Sequence, residues 1–125
     1  MTFSTHNFEK LKIWQNAFEI ADQVYEQVGE WPKHELYSLS QQTTRSASSV
    51  AANIAEGSAK SSNKDFKRFL EIALGSCYEL QTHLMLAQRR KFGNEENLKD
   101  LLNMIDKEQK MLIGFINRLR KNSAN

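Results

Sequence analysis

Side chains able to bind a metal ion are few in this chain and widely spaced. His6 and His34 stand apart from other ligand residues, whereas His83 follows Glu79 at helical spacing. A dinuclear site in a helical bundle requires Glu-x-x-His on two helices and a further glutamate on each of the other two. Because no second histidine-containing pair completes such a set, we predict no metal site. We interpret Glu79 and His83 as a solvent-facing pair on one helix.

Nucleophilic side chains also lack the partners that catalysis requires. Cys77, the single cysteine, stands among regularly spaced apolar residues, which is typical of a reduced core residue. Ser46, Ser48 and Ser49 fall in an alanine-rich segment, where small side chains allow close packing. No histidine is placed to complete a catalytic set, and no glycine-rich phosphate-binding loop is present. We therefore expect no catalytic residue, no cofactor and no enzymatic activity.

Apolar residues recur at helical spacing along the whole chain. The 125 residues include one proline and five glycines, and no alternating run of β-branched residues indicates a strand. We predict helices over residues 8–30, 38–56, 63–90 and 94–120. Amphipathic helices with short links predict an all-α fold, an antiparallel up-down-up-down four-helix bundle. We expect it to form one domain that spans residues 1–125.

We predict neither a secretion signal nor a membrane span from the sequence. Residues 1–12 lack the charged start, apolar middle and small-residue cleavage site of a signal peptide. No apolar run approaches the roughly 18 residues that a membrane span requires. We expect a cytoplasmic protein that makes no contact with a membrane.

The first and third helices each carry two apolar lines, which is more apolar surface than one neighbouring helix covers. On the third helix we assign the following line to the core: Phe66, Leu70, Ala73, Cys77, Leu80, Leu84 and Ala87. Its second line comprises Leu74, Tyr78, Gln81 and Met85. On the first helix we assign the following line to the core: Leu11, Trp14, Phe18, Ala21, Tyr25 and Val28. The second line of that helix comprises Ile13, Ala17, Ile20, Val24 and Trp31.

These second lines predict contacts between copies of the chain. Because both lie beside a core face, they would be left uncovered in an isolated bundle. We predict a homo-oligomer whose subunit interface includes Ile13, Ile20, Val24, Leu74, Tyr78 and Met85.

The second helix is predicted to be rich in small side chains. Ser38 with Gln41 has the spacing of a capping box, and Gly57 is expected to end the helix in a left-handed conformation. Its predicted buried line is Leu36, Leu39, Thr43, Ala47, Val50 and Ile54. The starts of the next two helices are indicated by Ser62 with Asp65 and by Asn94.

Charge is distributed unevenly although the formal net charge is only +2. In an up-down bundle, the starts of the first and third helices lie at the same end as the ends of the second and fourth. Cationic side chains collect at that end, and they could neutralise phosphates or serve solubility alone. Our RNA-binding candidates are Lys60, Lys64, Lys67, Arg68, Arg118, Arg120 and Lys121.

A polar strip follows one face of the second helix and contains Arg45, Asn53 and Glu56. Glu56 stands near the C-terminal end of its helix, where a negative charge is unfavourable, so we expect a cationic or hydrogen-bonding partner. We interpret the strip as structural, with an ion pair at a helix or subunit contact, because such pairs are a common use of charged groups on helices.

Several blocks of the sequence resemble the bacterial four-helix-bundle proteins encoded in 23S ribosomal RNA intervening sequences. They are the runs LKIWQNA at 11–17, RSASSV at 45–50, NIAEG at 53–57, FKRFLEIALGS at 66–76 and ELQT at 79–82. The resemblance extends from Phe8 to Arg90. Many relatives have a proline before the NIAEG run, where this chain has Val50, Ala51 and Ala52. That difference concerns the local bend of the second helix.

The resemblance implies a non-enzymatic bundle that assembles into a ring-like homopentamer. The accessory protein of diversity-generating retroelements is similar to this family, and there the pentamer is a basic scaffold that binds RNA and a reverse transcriptase. We therefore expect a pentameric scaffold that binds structured RNA, such as ribosomal RNA, through its basic end. The alternative is a protein-interaction adaptor that has no role with nucleic acid.

Overall fold

Four amphipathic helices account for most of the chain. The computed structural model describes residues 7–123, so His6 lies outside the described part. The helices are α1 (Lys12–Val28), α2 (Gln41–Ser58), α3 (Asn63–Arg90) and α4 (Glu95–Ser123). A short 3-10 turn precedes α1, and a 3-10 turn and a π turn precede α2: Phe8–Lys10, Lys33–Glu35 and Leu36–Ser40. The described residues contain no strand, and the all-α prediction is confirmed.

The helices are arranged so that each packs against two others. α1 contacts α2 and α4, and α3 contacts the same two helices, as in a square bundle whose fourth helix closes on the first. The core line predicted for the third helix is confirmed, because every residue from Phe66 to Ala87 on that line is almost fully buried. Since α3 buries this line along its whole length, it organises the packing of both halves of the bundle.

The predicted starts of α3 and α4 are confirmed by their capping hydrogen bonds. The Ser62 hydroxyl accepts a hydrogen bond from the backbone N–H of Asp65 at 3.1 Å. The side-chain oxygen of Asn94 accepts one from the backbone N–H of Asn97 at 2.8 Å. Each cap satisfies an N–H group that has no partner within its helix, so the sequence signal and the local energetics agree.

The start of α2 differs from the prediction. Ser38 has φ −126° and ψ −107°, which is not helical, and α2 begins only at Gln41. The Glu35 carboxylate accepts a hydrogen bond from the backbone N–H of Leu39 at 3.4 Å and so caps the π turn, whereas α2 itself begins after Ser40 without a side-chain cap. Leu36, which we predicted to be buried, is 54% exposed because it precedes this change of direction.

The predicted end of α2 at Gly57 is also wrong, and the reason is steric. Gly57 is buried within the helix, which continues to Ser58. A Cβ atom at this position would lie 2.7 Å from Cβ of Phe69 and 3.0 Å from Cδ1 of Phe66. Glycine is therefore required here by the close approach of α2 to α3 and not by a left-handed backbone.

The two apolar lines of α1 are exchanged relative to the prediction. Ile13, Ile20 and Val24, which we predicted as interface residues, are at most 4% exposed and belong to the core of the protomer. Phe18 and Tyr25, which we assigned to the core, are each 56% exposed. The aliphatic line is buried because it points between α2 and α4, whereas the aromatic line lies on the outer side of α1, beside α2. The outer apolar line of α1 is therefore the aromatic one.

Candidate nucleic-acid interface

The fold brings the predicted basic segments to one end of the bundle. Phe66 at the start of α3 lies against Phe115 near the end of α4, with ring centroids 5.3 Å apart. The end of α2 packs on the same part of α3 through Gly57. Cationic side chains from α3, from α4 and from the link after α2 are thus collected at this end, as the up-down connectivity requires.

Three of the seven predicted cations lie over aromatic rings. The ammonium of Lys60 and the guanidinium of Arg68 lie 5.0 Å and 5.1 Å from the ring centroid of Phe69. The guanidinium of Arg118 lies 5.1 Å from the centroid of Phe115. Such contacts contribute about 0.5–1 kcal/mol each at exposed sites, so they limit the positions of the three cations without neutralising them.

The other predicted cations differ in their surroundings. Lys67 pairs with Glu71 one turn later at 3.8 Å, and Arg120 donates a hydrogen bond to Asn117 at 3.1 Å. Lys64 is exposed in the first turn of α3, and Lys121 is exposed near the end of α4. The Lys67 pair is open to solvent and therefore screened, so it reduces the positive charge of this end only in part.

A cationic groove between α1 and α4 was not predicted. Its volume is about 400 Å³, and its walls carry the side chains of Lys10, Lys12, Lys110 and Arg118. No carboxylate is among the residues that line it. Of the seven RNA-binding candidates, only Arg118 contributes to this groove. Lys10 and Lys12 were visible as basic residues at this end, whereas Lys110 lies in mid-helix and is brought there only by packing.

The polar strip of α2 has a different set of contacts from the predicted ion pair. The Asn53 amide donates to the backbone carbonyl of Ser49 at 2.8 Å, and the Ser49 hydroxyl lies 2.9 Å from that of Ser76 on α3. Arg45 and Glu56 are exposed. Among residues 7–123, neither forms an ion pair, so a partner for Glu56 at a subunit contact stays a prediction.

A buried carboxyl group lies near the middle of α4. Glu108 is fully buried, and its Oε1 accepts a hydrogen bond from the side-chain amide of Asn16 on α1 at 3.0 Å. Its Oε2 has no hydrogen-bond partner in the described part of the chain. Burial raises the pKa of Glu108 to about 7, against the smaller opposite effects of Asn16 and Lys107. The sequence indicated only that a glutamate interrupts an apolar line.

Cys77 is a core residue, as predicted. Its thiol is buried, and burial raises its pKa far above the ordinary value, with a further contribution from the charge of Glu108. A thiol in this state is a poor nucleophile because the reactive species is the thiolate.

Neither a metal-binding cluster nor a membrane span is found in the described part of the chain. No three of its histidine, cysteine and acidic side chains are grouped as a metal ion would require. Glu79 and His83 lie 3.3 Å apart and form the predicted pair within one helix, but only Glu79 faces solvent, because the side chain of His83 is 14% exposed. None of the helices within residues 7–123 is long and apolar enough to cross a bilayer.

Exposed apolar side chains lie on several outer faces of the bundle, and two of these faces bear on the predicted assembly. On the first, Phe18 and Tyr25 of α1 lie beside α2, where the Tyr25 hydroxyl is 3.3 Å from that of Ser48. On the second, Tyr78 and Met85 of α3 are 49% and 52% exposed. Gln81 lies between them in sequence and accepts a hydrogen bond from Gln109 of α4 at 2.7 Å, which places this line on the α4 side.

A third apolar surface lies at the end opposite the basic residues. A groove of about 600 Å³ is formed by the end of α1, the link and the start of α2. Trp31 and Pro32 contribute to it, together with Leu36 and Tyr37. Tyr37 is 86% exposed. This groove was not predicted.

Comparison with known proteins identifies relatives by sequence and by structure. The sequence profile of one family, described as 23S rRNA-intervening sequence protein, matches residues 9–114. A crystal structure from Bacteroides thetaiotaomicron VPI-5482, described as a protein with unknown function from the S23 ribosomal protein family, is similar with a TM-score of 0.77. The two sequences are 27% identical, and the similarity covers 83% of this chain and 97% of that one. No curated protein matches this chain.

Proposed function

Because this chain belongs to the 23S rRNA-intervening sequence protein family, we propose that it is a non-enzymatic, homo-oligomeric scaffold that binds structured RNA through its basic end. Ribosomal RNA is the RNA that the family description suggests. The proposed assembly is a ring of five subunits in the cytoplasm, as the resemblance to this family implies.

The collection of cationic side chains at one end of the bundle carries this proposal. Lys60 lies in the link after α2 and Arg68 lies in α3, and both side chains lie over the ring of Phe69. Arg118 belongs to α4, Lys12 is the first residue of α1, and Lys10 precedes that helix. Cations from α1, α3, α4 and the α2–α3 link suit an extended polyanion better than a small ligand, because phosphates are spread along a backbone.

The two exposed apolar faces support the proposed assembly. The face with Phe18 and Tyr25 lies on the α1–α2 side, and the face with Tyr78 and Met85 lies on the opposite, α3–α4 side. Two different faces on opposite sides favour head-to-tail association of identical subunits, and such association closes into a ring when the rotation per subunit permits. In a ring, the basic ends of all subunits would lie on the same rim.

RNA titration at low and high salt tests this function. We expect the wild-type protein to bind an rRNA-derived hairpin at low salt and to lose affinity as salt rises, since each phosphate contact releases counterions. Replacement of Lys60, Arg68 and Arg118 by glutamine is expected to weaken binding by about tenfold or more. Replacement of Arg89 and Arg90 by glutamine at the opposite end is the control.

Absence of binding by the wild-type protein at low salt would contradict the proposed RNA function. Equal weakening by the control pair Arg89 and Arg90 would show that general charge, and not the basic end, is responsible.

A protein-interaction adaptor is the second candidate, and the groove at the opposite end favours it. Tyr37 and Leu36 are 86% and 54% exposed beside this groove, and contiguous exposed apolar surface is typical of protein-interaction sites. Under this alternative the basic end serves only solubility. A partner retained after nuclease treatment and lost on replacement of Tyr37 by serine would support the adaptor, whereas a partner released by nuclease would support RNA binding.

A further inference from the structure

We propose that the groove between α1 and α4 binds an unpaired nucleotide of the RNA, with phosphates on its lysine and arginine side chains and the base on its apolar floor. This inference rests on the proposed RNA function and assigns a position within it. The groove is the one lined by Lys10, Lys12, Lys110 and Arg118.

The charge of the groove calls for an anionic occupant. Four cationic side chains line it and no carboxylate does. Lys110 pairs with Asp106 at 3.0 Å, but the two side chains are 77% and 63% exposed, so solvent screens this pair. Four cations therefore share a space whose lining includes no acidic residue, and the carboxylate of Asp106, which pairs with Lys110, is exposed and lies outside that lining.

The floor of the groove is apolar, which favours an occupant that also has an apolar surface. Leu11, Met111 and Phe115 are partly buried against the core and line the groove beneath the cations. Phosphates gain nothing from such a floor, whereas a base offers an apolar, aromatic face to it. Base contacts with aromatic and apolar side chains combined with backbone contacts to cations are the usual basis of single-strand binding.

The size of the groove favours an unpaired nucleotide over a duplex as its occupant. A volume of about 400 Å³ lies within the range of small-ligand sites, roughly 300–1,000 Å³. An A-form helix presents phosphates and ribose outward and keeps its bases stacked, so it reaches the rim of the groove and not the floor. The expected ligand is therefore an unpaired nucleotide in a loop, in a bulge or at an end of a structured RNA.

Gly114 provides a way to fill the groove without changing its charge. It lines the groove, and a Cβ at this position would meet only Nη1 of Arg118 at 3.9 Å. Gly114→Leu therefore adds volume beside the floor, and it removes a helix-destabilising glycine from α4. Gly75→Leu is the matched control, because Gly75 lies in α3 with nothing within 4 Å of the added Cβ and outside the groove.

The test measures fluorescence anisotropy with a labelled oligouridine and with a blunt hairpin that has a tight, stacked loop. Gly114→Leu is expected to weaken oligouridine binding about tenfold, since one base contact contributes roughly 1–3 kcal/mol, and to leave hairpin binding nearly unchanged. Gly75→Leu is expected to match the wild type for both RNAs. Lys12 and Lys110 are also replaced by glutamine. For oligouridine, the slope of the logarithm of the binding constant against the logarithm of the salt concentration is then expected to become shallower by about 0.7 for each phosphate that is no longer neutralised.

The outcomes separate this inference from the proposed function. Wild-type binding to both RNAs with no effect of Gly114→Leu overturns the groove assignment and leaves the RNA function in place. A wild-type protein that binds neither RNA at low salt overturns the proposed function and the groove with it. Competition by polyglutamate as effective as that by unlabelled oligouridine overturns the nucleotide assignment, because the groove would then take any polyanion.

Discussion

Glu108 is a fully buried acidic residue in the interior of the bundle. Along α4 it lies between two apolar clusters, one that contains Leu112 and one that contains Ile105. Only one of its oxygens has a partner, the amide of Asn16, which also donates to the backbone carbonyl of Met104 at 3.2 Å. Burial of a carboxyl group among apolar side chains disfavours its ionised form, which explains why the pKa of Glu108 is raised.

The stability of the folded protein is expected to fall as the pH rises from 4.5, the ordinary pKa of Glu108, to about 7, its pKa in the folded protein. Because its pKa is raised from 4.5 to about 7 in the folded protein, the neutral form is favoured on folding. The resulting contribution to the free energy of unfolding is fully present below pH 4.5 and is lost progressively up to about pH 7. It amounts to roughly 3 kcal/mol when the difference in pKa is converted to free energy. Glu108→Gln keeps the acceptor for Asn16 and removes this loss.

Chemical denaturation from pH 5 to pH 8 checks this expectation. Wild-type stability should decline across the range, and Glu108→Gln should decline less and be the more stable protein at pH 8. Glu26→Gln, at an exposed position of α1, is the control and should follow the wild type. Parallel pH profiles for wild type and Glu108→Gln would contradict the assignment.

At the scale of the elements, the contact between α2 and α3 depends on the absence of a side chain. Gly57 is held against Phe66 and Phe69, and small residues occupy much of the buried side of α2. The small residues of α2 allow this close approach to the larger side chains of α3.

Two glycine-to-alanine substitutions should therefore have opposite effects. Gly57→Ala places Cβ within 2.7 Å of Cβ of Phe69 and is expected to destabilise the fold by about 1–3 kcal/mol. Gly75→Ala meets nothing within 4 Å and is expected to stabilise it by about 0.5–1 kcal/mol through helix propensity. Thermal unfolding of both variants provides the measurement, and stabilisation by Gly57→Ala would show that the helices separate at little cost.

The exchange of the two lines on α1 shows what periodicity leaves open. Both lines have helical spacing, and both contain large apolar residues, so the pattern shows that two faces are apolar without ranking them. The aliphatic line fills the interior because Ile13, Ile20 and Val24 fit between α2 and α4. The aromatic line with Phe18 and Tyr25 remains outside.

At the scale of the whole molecule, the exposed faces define a test of head-to-tail assembly. Phe18→Glu places a charge on the α1–α2 face, and Tyr78→Glu places one on the α3–α4 face. Each variant alone is expected to give smaller species than the wild type in light scattering. When the two are mixed, one unmodified face of each remains, so they are expected to form heterodimers that do not close into a ring.

Ile72→Glu provides the control for added charge. Ile72 is 45% exposed, one helical turn before Ser76, which contacts α2, so it lies outside both faces. This variant should keep the wild-type mass. Wild-type mass for Phe18→Glu and Tyr78→Glu would show that these faces are not subunit contacts, and failure of the mixture to associate would contradict the head-to-tail arrangement.

The sequence alone determined the helical class, both ends of α3, the start of α4 and the buried line of α3. These depend on interactions within a few residues of each other: the spacing of apolar side chains, and caps such as Ser62 and Asn94. The predicted basic end also followed, because up-down connectivity fixes which helix ends are neighbours.

Only the tertiary structure decided which apolar face of α1 is inside, why Gly57 is a glycine and where the cationic groove lies. Each of these depends on side chains from helices that are distant in sequence: Gly57 on Phe69, and Lys110 beside Lys10 and Lys12. Periodicity specifies the direction of a side chain relative to its own helix. The neighbouring helices decide what that side chain meets, and they are positioned by the packing of the whole bundle.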